Sequence, residues 1–249
     1  MKKNILRCGE TVAFLIMIAW SAPAMALSAE QVLEKVDASE YGAKDTVAIT
    51  KMELQDKDGT ISNRKLKIYQ KGTDKRLIKF LEPADVKGMA FLDAGDDKMY
   101  LYMPAMHKIR RIAGHVKNDN FAGTDFSFED LSSERFSERM QVLSMTEDPK
   151  HYVLEVKAKP GKETQYGKLV VHVRKKDFMF DEMEFFDKTG EKWKVLKRSE
   201  FKKVGKYMQS FRSEIEDLKK KHKTRTIVES IECDTGLKDR FFSKRQLKR

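Results

Sequence analysis

The chain has 249 residues, of which 36% are charged and 40% hydrophobic, and its formal net charge is +11 at pH 7. This length suffices for one well-buried domain. Cys233 is the single cysteine beyond the first thirty residues, which excludes an internal disulfide in that part. The basic excess favours acidic partners such as anionic lipid headgroups or an acidic protein face. Because 39 acidic residues accompany the 50 basic ones, a plain solvated surface explains the composition equally well.

The first 26 residues have the features of a secretory signal peptide. Three basic residues within the first seven precede an apolar run at residues 12–20, and Ala24 and Ala26 form an A-x-A pattern. A membrane anchor is the alternative, but the run is shorter than the roughly 20 residues that span a bilayer. We therefore predict cleavage after Ala26 and secretion out of the cytoplasm, where nucleic acid is not an expected partner. Cys8 does not stand in a lipoprotein-type box, so no lipid anchor is predicted.

The segment after the predicted cleavage site has helical spacing. Ser28 and Gln31 are placed for a capping box, and Val32, Leu33 and Val36 share one helical face. From Asp45 onwards the apolar residues recur with period two, which indicates strands. One amphipathic helix followed by a mainly β domain is therefore expected.

The alternating segments are joined by short turns such as DKDG, which are typical of antiparallel hairpins. We count about ten or eleven strands, too many for one flat sheet, and predict a strongly curled sheet or an open barrel. Further helix is expected only near residues 129–140, with a turn at the C-terminus. No Pro/Gly-rich linker divides the chain, so residues 27–249 are predicted to form a single domain of the α+β class, mainly antiparallel β.

One face of the predicted sheet is apolar along its length. Two interpretations remain open: the sheet closes tightly around its own side chains, or it stays open around an apolar ligand. In the second case, the residues predicted to line the cavity are Leu66, Ile68, Ile78, Phe80, Met89, Phe91, Met99, Leu101, Met103, Leu154, Val171 and Trp193.

The sequence contains no recognisable catalytic or cofactor motif. The five histidines lack metal-ligand spacing, and neither a G-x-S-x-G elbow nor a phosphate-binding glycine loop occurs. Met99, Met103, Met106 and His107 are the soft ligands that Cu(I) prefers. Methionines also serve as adaptable lining of an apolar surface, and we favour that interpretation. No catalytic residue, metal or cofactor is predicted.

A stretch from the Met99 strand to Leu131 resembles a known family. A strand with aromatics that ends in Pro, a basic pair and a loop of the form F-x-G-[ST]-D-F-[ST]-[YF]-E-D-[IL] are similar to the LolA-like outer-membrane lipoprotein-sorting family, in its periplasmic branch associated with RND-type exporters. The matching positions are Tyr100, Tyr102, Pro104, Arg110, Arg111, Phe121, Gly123, Thr124, Asp125, Phe126, Ser127, Phe128, Glu129, Asp130 and Leu131. The FFDKTGE turn and the C-terminal FSKRQL extend the similarity, whereas the family's prolines near Phe178 and Met208 are absent.

The resemblance implies an incomplete β-barrel with helices over its open side and a hydrophobic cavity that shields acyl chains. It implies a periplasmic carrier of a lipid or acylated, lipoprotein-like ligand, with an inner-membrane RND-type exporter or an outer-membrane acceptor as protein partner. Membrane contact would be peripheral. In this interpretation Arg110 or Arg111 contacts a polar headgroup, and the loop of residues 121–131 acts as a lid.

A second function fits the same sequence. The protein would be a periplasmic adaptor that docks on an exporter or an assembly complex through its basic face, without carrying a ligand. Bound lipid would support the carrier, whereas a stoichiometric protein partner would support the adaptor.

Overall fold

The computed structural model describes residues 27–249, and the predicted signal peptide lies outside these residues. The described chain begins with helix α1 (Ala29–Glu40). Ser28 Oγ accepts a hydrogen bond from the Gln31 backbone N–H, and Gln31 Oε1 accepts one from the Ser28 N–H, at 3.2 and 2.9 Å. The predicted capping box is confirmed, and it fixes where the helix begins.

Thirteen antiparallel strands follow, two more than the upper limit of the prediction. Their bounds are β1 (Asp45–Gln55), β2 (Ile61–Lys71), β3 (Lys75–Glu82), β4 (Ala90–Asp93), β5 (Met99–Met103), β6 (Lys108–Ile112), β7 (Met140–Glu147), β8 (His151–Ala158), β9 (Tyr166–Arg174), β10 (Phe180–Asp187), β11 (Lys192–Val204), β12 (Tyr207–Asp217) and β13 (His222–Cys233). The count was too low because KIRRI, which forms β6, lacks apolar alternation, and because residues 167–201 contain three strands where two were expected.

The strands form one sheet in the order β6-β5-β4-β3-β2-β1-β13-β12-β11-β10-β9-β8-β7. Every neighbour except the β1 and β13 pair is also consecutive in sequence, as expected for a chain built from hairpins. Strands β6 and β7 are the two edges and do not pair with each other, so the sheet is unclosed. Residues 113–139 therefore run from one edge of the sheet to the other.

Little of this connection is helical. The helix predicted near residues 129–140 is a turn at residues 128–131 and the short helix α2 (Phe136–Arg139). Residues 132–135 between them have no regular secondary structure, and the Ser133 hydroxyl and backbone N–H both donate to Asp93 Oδ2. The Asp37 carboxylate on α1 accepts the Phe136 and Ser137 N–H groups at 2.8 and 2.9 Å, so a distant residue caps α2.

The buried apolar residues form three clusters. In the β1–β6 half, the concave face packs against Phe121 and Phe128 from the connecting segment. The outer face of that half is covered by the C-terminal segment, including helix α3 (Lys244–Leu247), through Phe242 and Leu247. In the β7–β12 half, α1 packs on the concave face through Val32, Leu33 and Val36. Helix thus covers only one half of the concave face, which is less than was predicted.

Candidate functional site

A cleft of about 270 Å3 opens between α1, the connecting segment and the β7–β12 half of the sheet. Its surface combines an apolar wall with a polar rim, and aromatic side chains from separate parts of the chain contribute to the wall. The apolar wall consists of Phe126, Phe136, Met140, Leu169, Phe180, Met183, Phe185 and Leu196. The opposite rim is polar and comprises Glu40, Asp45, Gln70, Arg76, Asp130, Ser132, Glu134, Arg139 and Gln209. A concave site with an apolar wall and a few polar groups is typical of small-molecule binding.

Arg76 is the cation at this rim whose charge is least compensated. Its Nε and Nη2 donate to Gln70 Oε1 at 3.2 and 2.7 Å, and its Nη1 donates to the Leu131 carbonyl at 2.9 Å. All these acceptors are neutral, and within residues 27–249 no carboxylate oxygen forms an ion pair with Arg76. The guanidinium is therefore held in a fixed orientation. Burial raises the pKa of its cross-strand neighbour Asp93, and the Arg76 charge opposes that shift, but this charge is not neutralised by an ion pair within residues 27–249.

The other arginine at the rim already has a partner. Arg139 Nη2 lies 2.8 Å from Glu129 Oε1, and the side chains are 19% and 6% exposed. Desolvation raises the pKa of Glu129, and the Arg139 charge opposes that shift. This pair joins the turn at residues 128–131 to α2 within the connecting segment and leaves Arg76 as the candidate headgroup contact.

A buried polar cluster borders the cleft, and two of its members, Asp130 and Tyr166, line it. Lys194 Nζ donates to the Tyr166 hydroxyl at 3.1 Å and to the Asp125 carbonyl at 2.9 Å, and it lies 3.6 Å from Asp130 Oδ2. The Tyr166 hydroxyl donates to both Asp130 carboxylate oxygens at 3.0 Å. Burial, and after it the charge of Asp130, raises the pKa of Tyr166 well above its usual value. The phenol thus keeps its proton at neutral pH and acts as a donor that fixes Asp130.

A second set of contacts ties the connecting segment to β13. Asp125 Oδ2 accepts from the Thr224 hydroxyl and lies 2.7 Å from His222 Nδ1, while the Asp125 N–H donates to Thr224 Oγ1 at 3.0 Å. Gly123 has φ +79°, a left-handed conformation that favours glycine. Thr124 Oγ1 donates to the Phe121 carbonyl at 2.7 Å and closes the turn. The segment is thereby fixed to the strands on both sides.

Several solved structures share the architecture of this chain. A domain from Vibrio parahaemolyticus that is named for outer membrane lipoprotein sorting aligns with TM-score 0.79 at 27% identity, over 88% of this chain and 98% of that one. A DUF1329 family protein from Desulfovibrio piger aligns with TM-score 0.80 at 27% identity, over 88% and 97%. A LolA superfamily protein from Nitrosomonas europaea, 19% identical, shares the fold with TM-score 0.74 over 89% and 100%.

A family model described as "Uncharacterized protein" matches residues 72–249. The chain belongs to the LolA-like family. No curated protein matches the sequence. Among residues 27–249 of this LolA-like protein, no helix has the length and apolar character needed to cross a membrane.

None of the twelve cavity residues predicted from sequence lines the cleft. Leu66, Ile78, Phe80, Phe91 and Met99 are buried in the β1–β6 half, and Ile68, Met89 and Leu101 pack around them. Leu154 and Val171 are buried in the other half, under α1, and Met103 is half-buried at the end of β5. Strand alternation identified the apolar face, but it could not show that Phe121 and Phe128 already occupy half of it.

The alternation itself was assigned incorrectly in β11. Trp193 was predicted to face inward, but the register places Lys194 opposite Phe185 and Leu196 opposite Met183 on the concave face. Trp193 is half-buried, and its Nε1 donates to Asp217 Oδ2 at 3.1 Å. The sequence pattern favoured Trp193 because a lysine on a concave face is unusual unless it is paired.

The motif residues divide into a buried group and one that reaches the cleft. Phe121, Thr124, Asp125, Phe128 and Glu129 are buried. Phe126 and Asp130 line the cleft, whereas Gly123 is exposed at the turn. Arg110 and Arg111 are exposed on edge strand β6 and do not line the cleft.

The methionines proposed as soft ligands do not share one environment. Met99 is buried, whereas Met106 is 56% exposed, and His107 is also exposed. In the described part of the chain, no group of three His, Cys, Asp or Glu side chains could hold a metal ion.

Sequence reasoning missed Arg76, Tyr166 and Lys194, because all three lie in strands whose basic or aromatic residues looked like ordinary alternation. Only the coiling of the sheet brings them beside the connecting segment.

Proposed function

We propose that this LolA-like protein is a periplasmic carrier that binds the acyl part of a lipid or acylated ligand in the cleft and delivers it across the envelope. The observation that supports this most directly is the apolar wall of the cleft, with the ion-pair-free Arg76 at its rim. Each methylene removed from water contributes about 0.8 kcal/mol, so such a wall can bind a chain without any catalytic group.

The size of the cleft limits what it holds in this conformation. Its volume of about 270 Å3 is just below the range of roughly 300–1,000 Å3 that is common for small-molecule sites. One acyl chain, or part of one, matches this space better than several chains. A ligand with several chains therefore requires α1 or the connecting segment to move away from the sheet.

The polar end of the ligand is assigned to Arg76. A guanidinium presents a planar donor fork that fits phosphate or carboxylate oxygens. Arg76 is already oriented by Gln70 and Leu131, so little side-chain freedom is lost on binding. We therefore assign the headgroup contact to Arg76. Arg110 and Arg111 lie on the exposed edge strand and are no longer proposed for this role.

The test is lipid extraction from purified mature protein, residues 27–249, followed by mass spectrometry. We expect a bound amphiphile in stoichiometric amount and a reduction of about tenfold or more in Arg76→Gln, since a charge-assisted hydrogen bond contributes about 1.5–3 kcal/mol. Arg110→Gln is the matched control and should retain the ligand.

Two results would contradict the carrier proposal. The first is a protein that yields no amphiphile after expression in a lipid-rich host. The second is a stoichiometric protein partner that co-purifies while lipid is absent, which would favour the adaptor that docks on an exporter or assembly complex. An equal loss of ligand in Arg76→Gln and Arg110→Gln would remove only the headgroup assignment.

A further inference from the structure

The hairpin of β11 and β12 extends beyond both of its neighbours. Pairing between β10 and β11 ends at Glu182 with Lys197, and pairing between β12 and β13 ends at Arg212 with Ile227. Strands β11 and β12 nevertheless continue to pair with each other as far as Val204 with Tyr207. Residues 201–211, which we call the hairpin tip, are therefore a two-stranded projection from the sheet.

The hairpin tip is cationic. Its sequence, FKKVGKYMQSF, contains three lysines and no acidic residue. Lys202, Lys203 and Lys206 are exposed. Lys202 makes one contact of 3.5 Å with Glu200, and within residues 27–249 neither Lys203 nor Lys206 forms an ion pair. Glu200 and Asp234 lie near Lys202 and Lys206 respectively, whereas Lys203 has no carboxylate contact among residues 27–249, so the tip keeps a net positive charge.

Apolar side chains alternate with these lysines. Phe201, Val204, Tyr207, Met208 and Phe211 are half-buried. The Arg174 guanidinium covers Phe201 at 3.7 Å from its ring centroid. Lysine amines also lie over aromatic rings, with Lys202 Nζ 4.8 Å from the Phe211 centroid and Lys206 Nζ 5.2 Å from that of Tyr207. Lysine can extend its charge towards phosphates while its methylenes stay on an apolar surface. Aromatic rings are also enriched where a protein meets a bilayer.

The hairpin tip is next to the rim of the cleft. Gln209, which pairs with Lys202, lines the cleft. The Tyr207 hydroxyl donates to Asp234 Oδ2 at 2.7 Å, and its ring lies against Gly42, immediately after the Tyr41 at the cleft rim. These contacts fix the tip to the end of α1. Any surface that contacts the hairpin tip would therefore lie close to the polar rim of the cleft.

We propose that the hairpin tip docks the protein on the surface of an anionic phospholipid bilayer. The lysines supply the attraction to the phosphate layer, which decays within about a Debye length, roughly 8 Å at physiological ionic strength. The half-buried aromatic and Met side chains supply apolar contact at the interface. Docking in this orientation would hold the cleft rim against the bilayer, where an amphiphile could enter or leave.

The experiment is co-sedimentation of residues 27–249 with vesicles of phosphatidylglycerol and phosphatidylcholine, compared with vesicles of phosphatidylcholine alone. We expect binding only to the anionic vesicles, and weaker binding as NaCl is raised. The double variant Lys203→Gln/Lys206→Gln should bind about thirtyfold more weakly, because each lysine near an anionic surface contributes about 1 kcal/mol.

Lys57→Gln/Lys188→Gln is the control with the same change in charge. Both lysines are exposed in turns, after β1 and after β10, at the end of the sheet opposite the hairpin tip. Equal weakening in the two double variants would show that net charge alone drives binding and would overturn the proposal. Equal binding of the unsubstituted protein to neutral vesicles would also overturn it.

The docking inference does not depend on the carrier proposal, and the two can fail separately. Lipid extraction from Lys203→Gln/Lys206→Gln should recover as much amphiphile as the unsubstituted protein yields. A docking-deficient variant that keeps its ligand would support the assignment of the tip to membrane contact and of the cleft to ligand binding.

Discussion

The two halves of the sheet have the same strand pattern but different concave faces. In the β1–β6 half, the rings of Phe121 and Phe128 pack against those of Phe80 and Phe91 at centroid distances of 5.5–5.7 Å, and this face is filled. In the β7–β12 half, α1 and Phe126 cover the face only in part, and the cleft remains. The same connecting segment therefore closes one half as core and forms the wall of a cavity in the other.

This difference explains how one motif has two physical roles. Its buried residues behave as ordinary core, whose removal leaves a cavity in a close-packed interior. Phe126, five residues after Phe121, contributes to a surface that a ligand can share. The idea of a lid therefore applies to the part of the segment near Phe126 and not to Phe121, which is buried and pairs its backbone with Phe126.

The sharpest test of the comparison replaces two phenylalanines of the connecting segment, one that packs on each half of the sheet. Phe121→Ala should lower the free energy of unfolding by about 3–5 kcal/mol, because a fully buried ring is lost from a packed site. Phe126→Ala should cost clearly less stability but should reduce the amphiphile recovered by lipid extraction. Urea denaturation and mass spectrometry measure the two effects. If Phe126→Ala kept its ligand and lost as much stability as Phe121→Ala, the two halves would not differ in function.

Lys194 connects the cleft half of the sheet to the connecting segment, because its amine contacts Asp125 and Asp130 of that segment. Lys194→Met should lower stability by about 3 kcal/mol, because removal of one partner of a buried pair leaves the other charge uncompensated. Lys51→Met is the control, since Lys51 is 60% exposed and pairs with Glu229 at the surface, where such pairs contribute at most about 1 kcal/mol. Similar denaturation midpoints for the two variants would contradict this role.

The smallest effect is expected at the outer surface of the β7–β12 half. Desolvation opposes protonation of His151, but Asp181 and Asp148, 3.0 and 3.3 Å from its ring nitrogens, raise its pKa above the usual value. The resulting stability is complete below about pH 6.5, the unfolded value, and is lost as pH rises through the folded pKa.

His151→Gln should therefore lower the free energy of unfolding by up to about 1 kcal/mol near pH 5.5 and by less near pH 8.5. Urea denaturation at the two pH values measures this difference. An effect of His151→Gln that grew with pH would contradict the stated direction.

Much of the fold could be predicted from local patterns. The Ser28 capping box, the hairpin turns and the alternation along β2, β3, β8 and β9 depend on neighbouring residues, which sequence shows directly. The motif from Phe121 to Leu131 also indicated the family. The same reasoning failed for β6, where a basic sequence forms an edge strand, and for β11, where a paired lysine occupies an inward position.

The candidate site was less predictable because its parts are distant in sequence. The sequence by itself determined an apolar strand face, an aromatic connecting segment and an excess of basic residues. Only the tertiary structure decided that the segment crosses from β6 to β7, fills one half of the concave face and leaves a cleft beside Arg76 in the other. The physical reason is that alternation specifies which side of a strand is apolar, whereas the partner that covers it depends on how the whole sheet coils.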